Sequence, residues 1–216
     1  MRIAHTSLVT IPVGSYVLEG ELTVPQGSVA AVVFAHGSGS SRHSPRNRFV
    51  AERLQAAGIA TLLTDLLTED EASDRRMVFD IPLLADRVAQ AASRLRSEPA
   101  TARLPIGLFG ASTGGGAALV AAARYPESFY AVVSRGGRPD LADEALPLVK
   151  CPTLLIVGSE DTEVLTLNQA AQNRMIAECE LAVVPGATHL FEEPGTLDQA
   201  ADLAAEWFVA KVPEAT

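Results

Sequence analysis

The apolar positions change their period along the chain. From Ser7 to Pro25 they alternate with polar ones, in two runs broken at Gly14-Ser15, which predicts a β-hairpin. Ala30 to Ala35 is then continuously apolar, as suits a strand buried on both faces. It runs into a loop, His36-Gly37-Ser38-Gly39-Ser40-Ser41. Beyond that loop, strand-length apolar runs alternate with helical periodicity. A helix over Asn47 to Ala57 places Phe49, Val50, Leu54 and Ala57 on one face, and Gly58 stops it. A strand over Ile59 to Thr64 follows, then a helix from Pro82 to Arg96 with Leu84, Val88, Ala91, Ala92 and Leu95 at core spacing. Further strands are predicted at Pro105 to Phe109, Phe129 to Ser134, Pro152 to Val157 and Leu181 to Val184. Helices are predicted at Thr113 to Arg124, Leu165 to Ala177 and Leu197 to Lys211. A hairpin followed by repeated strand–helix units implies a mostly parallel, doubly wound α/β sheet with helices on both faces.

The chain has 216 residues and 48% hydrophobic composition, enough for one compact domain over 1–216 with a large core and little room for a second. Its net charge of −9 disfavours nucleic acid and anionic membrane surfaces as partners. Arg42, His43, Arg46 and Arg48 form a local basic segment too short to reverse that. No apolar run is long enough to span a bilayer, and the N-terminal residues contain no signal-peptide core. A soluble cytoplasmic protein is the expectation. Cys151 and Cys179 are not spaced as metal ligands and read as reduced, partly buried thiols.

In sheets of this kind, ligands bind beyond the carboxyl ends of the strands. Three polar residues meet that condition. Ser112 follows the strand ending at Phe109 and sits in Gly110-Ala111-Ser112-Thr113-Gly114, a G-x-S-x-G turn from strand to helix. Asp161 follows the strand ending at Val157, and His189 the strand ending at Val184. A serine hydroxyl needs a base within hydrogen-bond reach, and the base needs an orienting acid. Each member has competitors: a glycine-rich turn with a bystander serine; Glu160 and Glu163 for the acid; His5, His36 and His43 for the base. Only His189 follows the last strand. Asp65 also follows a strand, but is given no role.

Taken together, Gly110-Ala111-Ser112-Thr113-Gly114, His36-Gly37, Gly158-x-x-Asp161-x-x-Val164 and the late His189 resemble the α/β-hydrolase superfamily, in its dienelactone-hydrolase-like branch. The resemblance covers essentially the whole chain and departs in one place: that branch usually has a cysteine nucleophile, where this chain has Ser112. His36 to Arg48 also looks like the hydrolase-like segment found fused to phosphoribosyltransferase domains in some bacteria. The resemblance implies the α/β-hydrolase fold and a serine hydrolase of small carboxylic esters. Its triad would be Ser112, Asp161 and His189, and its oxyanion hole would use the N–H groups of Thr113 and Ser38, with Gly39 as the alternative to Ser38. No cofactor or metal is called for. A lactone hydrolase, an acyltransferase and a non-catalytic binding module are the other readings.

The interval from Arg135 to Lys150 is short for a lid, so an open site without a lid domain is expected, in a monomer or homodimer. Arg135 and Arg138 open that interval. Pairing with Asp140 and Asp143 is the favoured reading for both, and a substrate carboxylate the alternative.

Overall fold

The computed structural model describes residues 4–214. Strands β1 (Ala4–Val13) and β2 (Tyr16–Pro25) form the expected hairpin, turning at Gly14 with φ +66. Then come β3 (Ala30–Ala35), α1 (Pro45–Ala56), β4 (Ile59–Thr64), two short helices α2 (Glu69–Ser73) and α3 (Arg75–Val78), and α4 (Ile81–Ser97). The second half holds β5 (Ile106–Ala111), α5 (Thr113–Arg124), β6 (Val132–Arg135), a 3-10 segment (Pro139–Leu148), β7 (Thr153–Gly158), α6 (Thr162–Gln172), β8 (Cys179–Val184) and α7 (Thr196–Ala210).

The eight strands form one sheet in the order β1-β2-β4-β3-β5-β6-β7-β8. β2 pairs with β4 antiparallel, and every pairing from β4 to β8 is parallel. This is the mixed, doubly wound α/β-hydrolase sheet. Strands β3, β4, β5, β6 and β7 are buried along their whole length, so each presents apolar groups to both faces. One face packs on α4 and α5, through residues such as Val88, Leu95 and Leu119. The other packs on α1 and α7, through Val50, Leu54, Ala204 and Phe208. Burial of that continuous apolar area is the main favourable term in folding.

Several boundaries differ from the sequence expectation for identifiable reasons. α1 starts two residues earlier than Asn47, because Ser44 caps it and accepts from the Asn47 N–H while Pro45 takes the first helical position. β5 runs on to Ala111, up to the residue before Ser112. β6 is only four residues, and Phe129 lies outside it as a core contact. α6 begins at Thr162 and ends at Gln172, five residues short of Ala177. Between β6 and β7 there is a 3-10 run, kinked at Asp143 (φ 34) and containing Pro147. Pro139, Ala142 and Leu146 are buried in it, and Ala142 and Leu146 join the core on the α4/α5 side. Helices α2 and α3 were not anticipated. α2 opens with a capping box between Thr68 and Glu71, and Asp74 caps the start of α3. Arg87 on α4 reaches Glu71 at 2.9 Å, a pair with little solvent exposure that ties α2 to the core.

Candidate active site

Ser112 stands at a forced turn. It links β5 to α5 with φ 52 and ψ −123, a region an L-residue occupies at a cost of about 1–3 kcal/mol. The flanking glycines make the turn possible. A Cβ on Gly110 would collide with the Gly114 carbonyl and lie 2.5 Å from the Gly115 Cα. A Cβ on Gly114 would collide with the Ala35 carbonyl at the end of β3 and lie 2.6 Å from the His36 carbonyl oxygen. The G-x-S-x-G spacing therefore records how closely α5 crosses β3 and β5. Ser112 precedes the first helical residue, yet its side chain caps nothing. The Thr113 N–H, which has no carbonyl one turn back, is left at the helix's positive end.

Asp161 and His189 come together as expected. His189 Nδ1 lies 2.6 Å from Asp161 Oδ2, with Asp161 largely buried and His189 partly exposed. An ionised carboxylate can only accept, so Nδ1 carries the proton and Nε2 is left as the basic nitrogen. The His189 loop is held on both sides. The Thr188 N–H donates to Glu193 at 3.0 Å, the Phe191 N–H donates to the Thr188 carbonyl at 3.2 Å, and Phe191 is itself strained at φ 54. Ser112 and His189 line one cavity of about 260 Å³. No hydrogen bond joins their side chains among the described residues, and such contacts are often long before substrate binds. The other acids near Asp161 face elsewhere: Glu160 accepts from the Ser159 hydroxyl, and Glu163 is exposed on α6.

The expected second oxyanion donor is engaged. The Ser38 N–H points at the Thr113 hydroxyl, 2.9 Å away, across the mouth of the β5–α5 turn. Ser38 and Thr113 are thus brought together, but their contact is with one another. Gly39, the alternative, has φ +69 and open space around its Cα.

The competing histidines separate cleanly. His5 and His43 are exposed. His36 is buried, and its Nε2 accepts the Leu66 N–H at 3.1 Å, so Nδ1 bears the proton and donates to the Gly37 carbonyl at 2.9 Å. Protonating Nε2 would break that arrangement. Burial, offset in part by the Gly37 bond and the Asp65 charge, holds His36 below its ordinary value of 6.5. The unfolded chain therefore binds the extra proton first, and His36 contributes stability above pH 6.5 that is lost as pH falls through the window below it. We expect His36→Gln to flatten the fall in Tm between pH 7 and pH 5; equal pH dependence in both proteins would refute a neutral, buried His36. Asp65, given no role from sequence, accepts from the Arg42 backbone N–H at 2.8 Å and pairs with the Arg42 side chain, which also reaches Glu19. It braces the loop after β3.

The two thiols are free, and burial raises Cys151 to about 11 and Cys179 to about 12, so neither is a thiolate at neutral pH. Arg138 pairs with Asp140 through two bonds of 2.8 and 2.7 Å, as favoured from sequence. Arg135 does not: Asp143 goes to Arg174, and Arg135 makes no ion pair among the described residues. The cause is its place at the end of β6, where its side chain turns to the α1/α7 face, away from the 3-10 segment. Burial, then the Arg46 charge, lower Arg135 to about 10, which leaves it cationic at neutral pH. It lies over the rings of Phe109 and Phe191, 5.9 and 5.7 Å from their centroids, contacts that offset part of the cost of burying the charge. Sequence reasoning did not find that isolation.

A second cavity of similar volume lies on the other side of the Gly37–Ser40 loop. Leu67, Ala72, Val78 and Leu84 give it apolar lining, and Thr113 lines it too. Helices α2 and α3 supply Ala72 and Val78. No residue of the 3-10 segment lines either cavity, so the position where a lid could insert leaves the site uncovered. Among the described residues, no helix is long and apolar enough to cross a membrane.

Comparison with known proteins agrees with this architecture. The model of an alpha/beta hydrolase domain matches residues 28–212. A dienelactone hydrolase from Anabaena variabilis is 54% identical, with a TM-score of 0.94 over 97% of this chain and 99% of that one. Est1E from Butyrivibrio proteoclasticus is 16% identical with a TM-score of 0.82, over 95% of this chain and 98% of that one, a likeness of fold. A Mycobacterium tuberculosis protein that carries the provisional name of a phosphoribosyl transferase is 60% identical over 201 residues, 93% of this chain and 45% of its own. The chain thus spans about half the length of the curated relatives it matches.

Proposed function

The chain belongs to the α/β-hydrolase family, and from that premise we propose that it is a serine hydrolase of small carboxylic esters. The observation that carries the reading is the 2.6 Å contact of His189 Nδ1 with Asp161, in a loop that brings His189 to the cavity of Ser112. Ser112 Oγ attacks the ester carbonyl carbon as His189 Nε2 takes its proton. The C=O pair becomes an oxyanion beside the N-terminus of α5, where the Thr113 N–H is free to donate. The Ser38 N–H joins it when substrate draws it from the Thr113 hydroxyl. Collapse expels the alcohol, which takes the proton from His189. Water, activated by the same Nε2, then cleaves the acyl-enzyme and restores Ser112. Asp161 holds one tautomer throughout and stabilises the imidazolium. No step calls on a metal or cofactor.

The uncovered site and cavities of about 260 Å³ favour short acyl and alcohol groups. The engaged Ser38 N–H is the one observation that favours a non-catalytic binding module instead, since such a module has no need of a second oxyanion donor. Rapid mixing with p-nitrophenyl acetate separates the two. We expect a burst of p-nitrophenol close to one equivalent per chain, followed by slower steady release. A folded protein giving neither burst nor turnover would rule out the hydrolase.

A further inference from the structure

Arg135 has no part in the acyl transfer described above, yet it lines the same cavity as Ser112 and His189. Only 6% of it is exposed. A guanidinium has five N–H donors. Arg135 makes one long bond, from Nη2 to Asn47 Oδ1 at 3.3 Å, while Nε and Nη1 have no partner among the described residues. The rings of Phe109 and Phe191 lie near it but supply no counter-ion. Arg46 lines the cavity as well, and among the described residues its only ion pair is with the exposed Glu192, at 3.3 Å. Among the described residues no acidic side chain lines this cavity, in a chain whose net charge is −9. A buried cation without a counter-ion is costly, and proteins that keep one gain the missing charge from elsewhere.

We propose that Arg135 and Arg46 form an anion site that holds an oxyanion group of the substrate, a carboxylate or a phosphate monoester, beside the ester that Ser112 attacks. A planar guanidinium with unpartnered N–H donors suits such a group. The substrate is then an ester with one anionic end against Arg135. Its apolar end crosses the Gly37–Ser40 loop toward the wall of Leu67, Val78 and Leu84. The placement beside Ser112 rests on the hydrolase reading, whereas anion binding does not require turnover.

Two arms test this on the intact protein. In the first, sodium acetate and sodium phosphate are titrated against sodium chloride at equal ionic strength, with Tm as readout. We expect acetate or phosphate to raise Tm saturably, and Arg46→Ala or Arg135→Gln to weaken the apparent affinity at least tenfold. The stronger of the two anions identifies the group. In the second, kcat/KM is compared for the p-nitrophenyl monoester of succinic acid and for neutral p-nitrophenyl butyrate. We expect the wild type to favour the charged ester at least tenfold, mainly through KM, and Arg46→Ala to cut that ratio below threefold. Arg46 is partly exposed, so this variant carries the test even if Arg135→Gln does not fold. Anion-specific stabilisation without turnover of either ester would keep the anion site and overturn the hydrolase. Turnover with no anion-specific stabilisation and no preference for the charged ester would overturn the anion site alone.

Discussion

Ser112→Ala is expected to lower kcat for short p-nitrophenyl esters by about a millionfold while leaving the fold intact. The size of the effect follows from the chemistry: alanine offers no atom to form the acyl-enzyme, so the two-step route is closed, not slowed. What survives is direct attack by water, helped by the N-terminus of α5 and by substrate binding, roughly 10³–10⁴ above the uncatalysed rate. Stability should change little. The Ser112 hydroxyl caps no helix, and the strain at φ 52 is the same for alanine as for serine. Tm within a few degrees of wild type, alongside the loss of turnover, is the expected pair of results. Unchanged turnover would mean that another group performs the reaction.

Asp161→Asn should cost about 10⁴ in kcat, with KM changed far less. The amide is nearly the same size as the carboxylate, so packing beneath His189 is preserved. Its NH₂ donates, however, where the carboxylate accepts. An amide nitrogen turned toward His189 Nδ1 favours the tautomer with the proton on Nε2, which can no longer accept from Ser112. The imidazolium formed during attack also loses the charge 2.6 Å away that stabilises it. Steady-state kinetics of this variant separate a positioning acid from a solvated surface residue. An effect below tenfold would assign Asp161 to the surface and reopen the role of Glu160 or Glu163.

The site residues that were legible in the sequence share one property: each lies a few positions beyond a strand-length apolar run. Runs of that length between helical periods read as strands of one parallel sheet, and the loop after each is carried to the same edge of that sheet. That places Ser112, Asp161 and His189 on a common edge before any coordinates are known. Arg135 escaped because side chains alternate between faces along a strand. In a strand buried on both sides, hydropathy does not say which face is which. Ser134 and Arg135 are neighbours in sequence, yet one points at α5 and the other at α1 and α7. Helices α2 and α3 escaped because they carry mostly charged residues and no apolar period. The signals that were present are caps: Thr68 with Glu71, then Asp74, then Asp80 before α4. The contact of the Ser38 N–H with the Thr113 hydroxyl joins residues 75 positions apart and has no local signature.

Site-resolved labelling tests the serine nucleophile most directly. The folded protein is treated with a fluorophosphonate, digested, and its peptides mapped by mass spectrometry. An activated Ser112 gives one adduct per chain, on the peptide that contains Gly110 to Gly114. It disappears in Ser112→Ala and forms far more slowly in Asp161→Asn. An unlabelled Ser112 in the folded wild-type protein, or an adduct on a different residue, would contradict it.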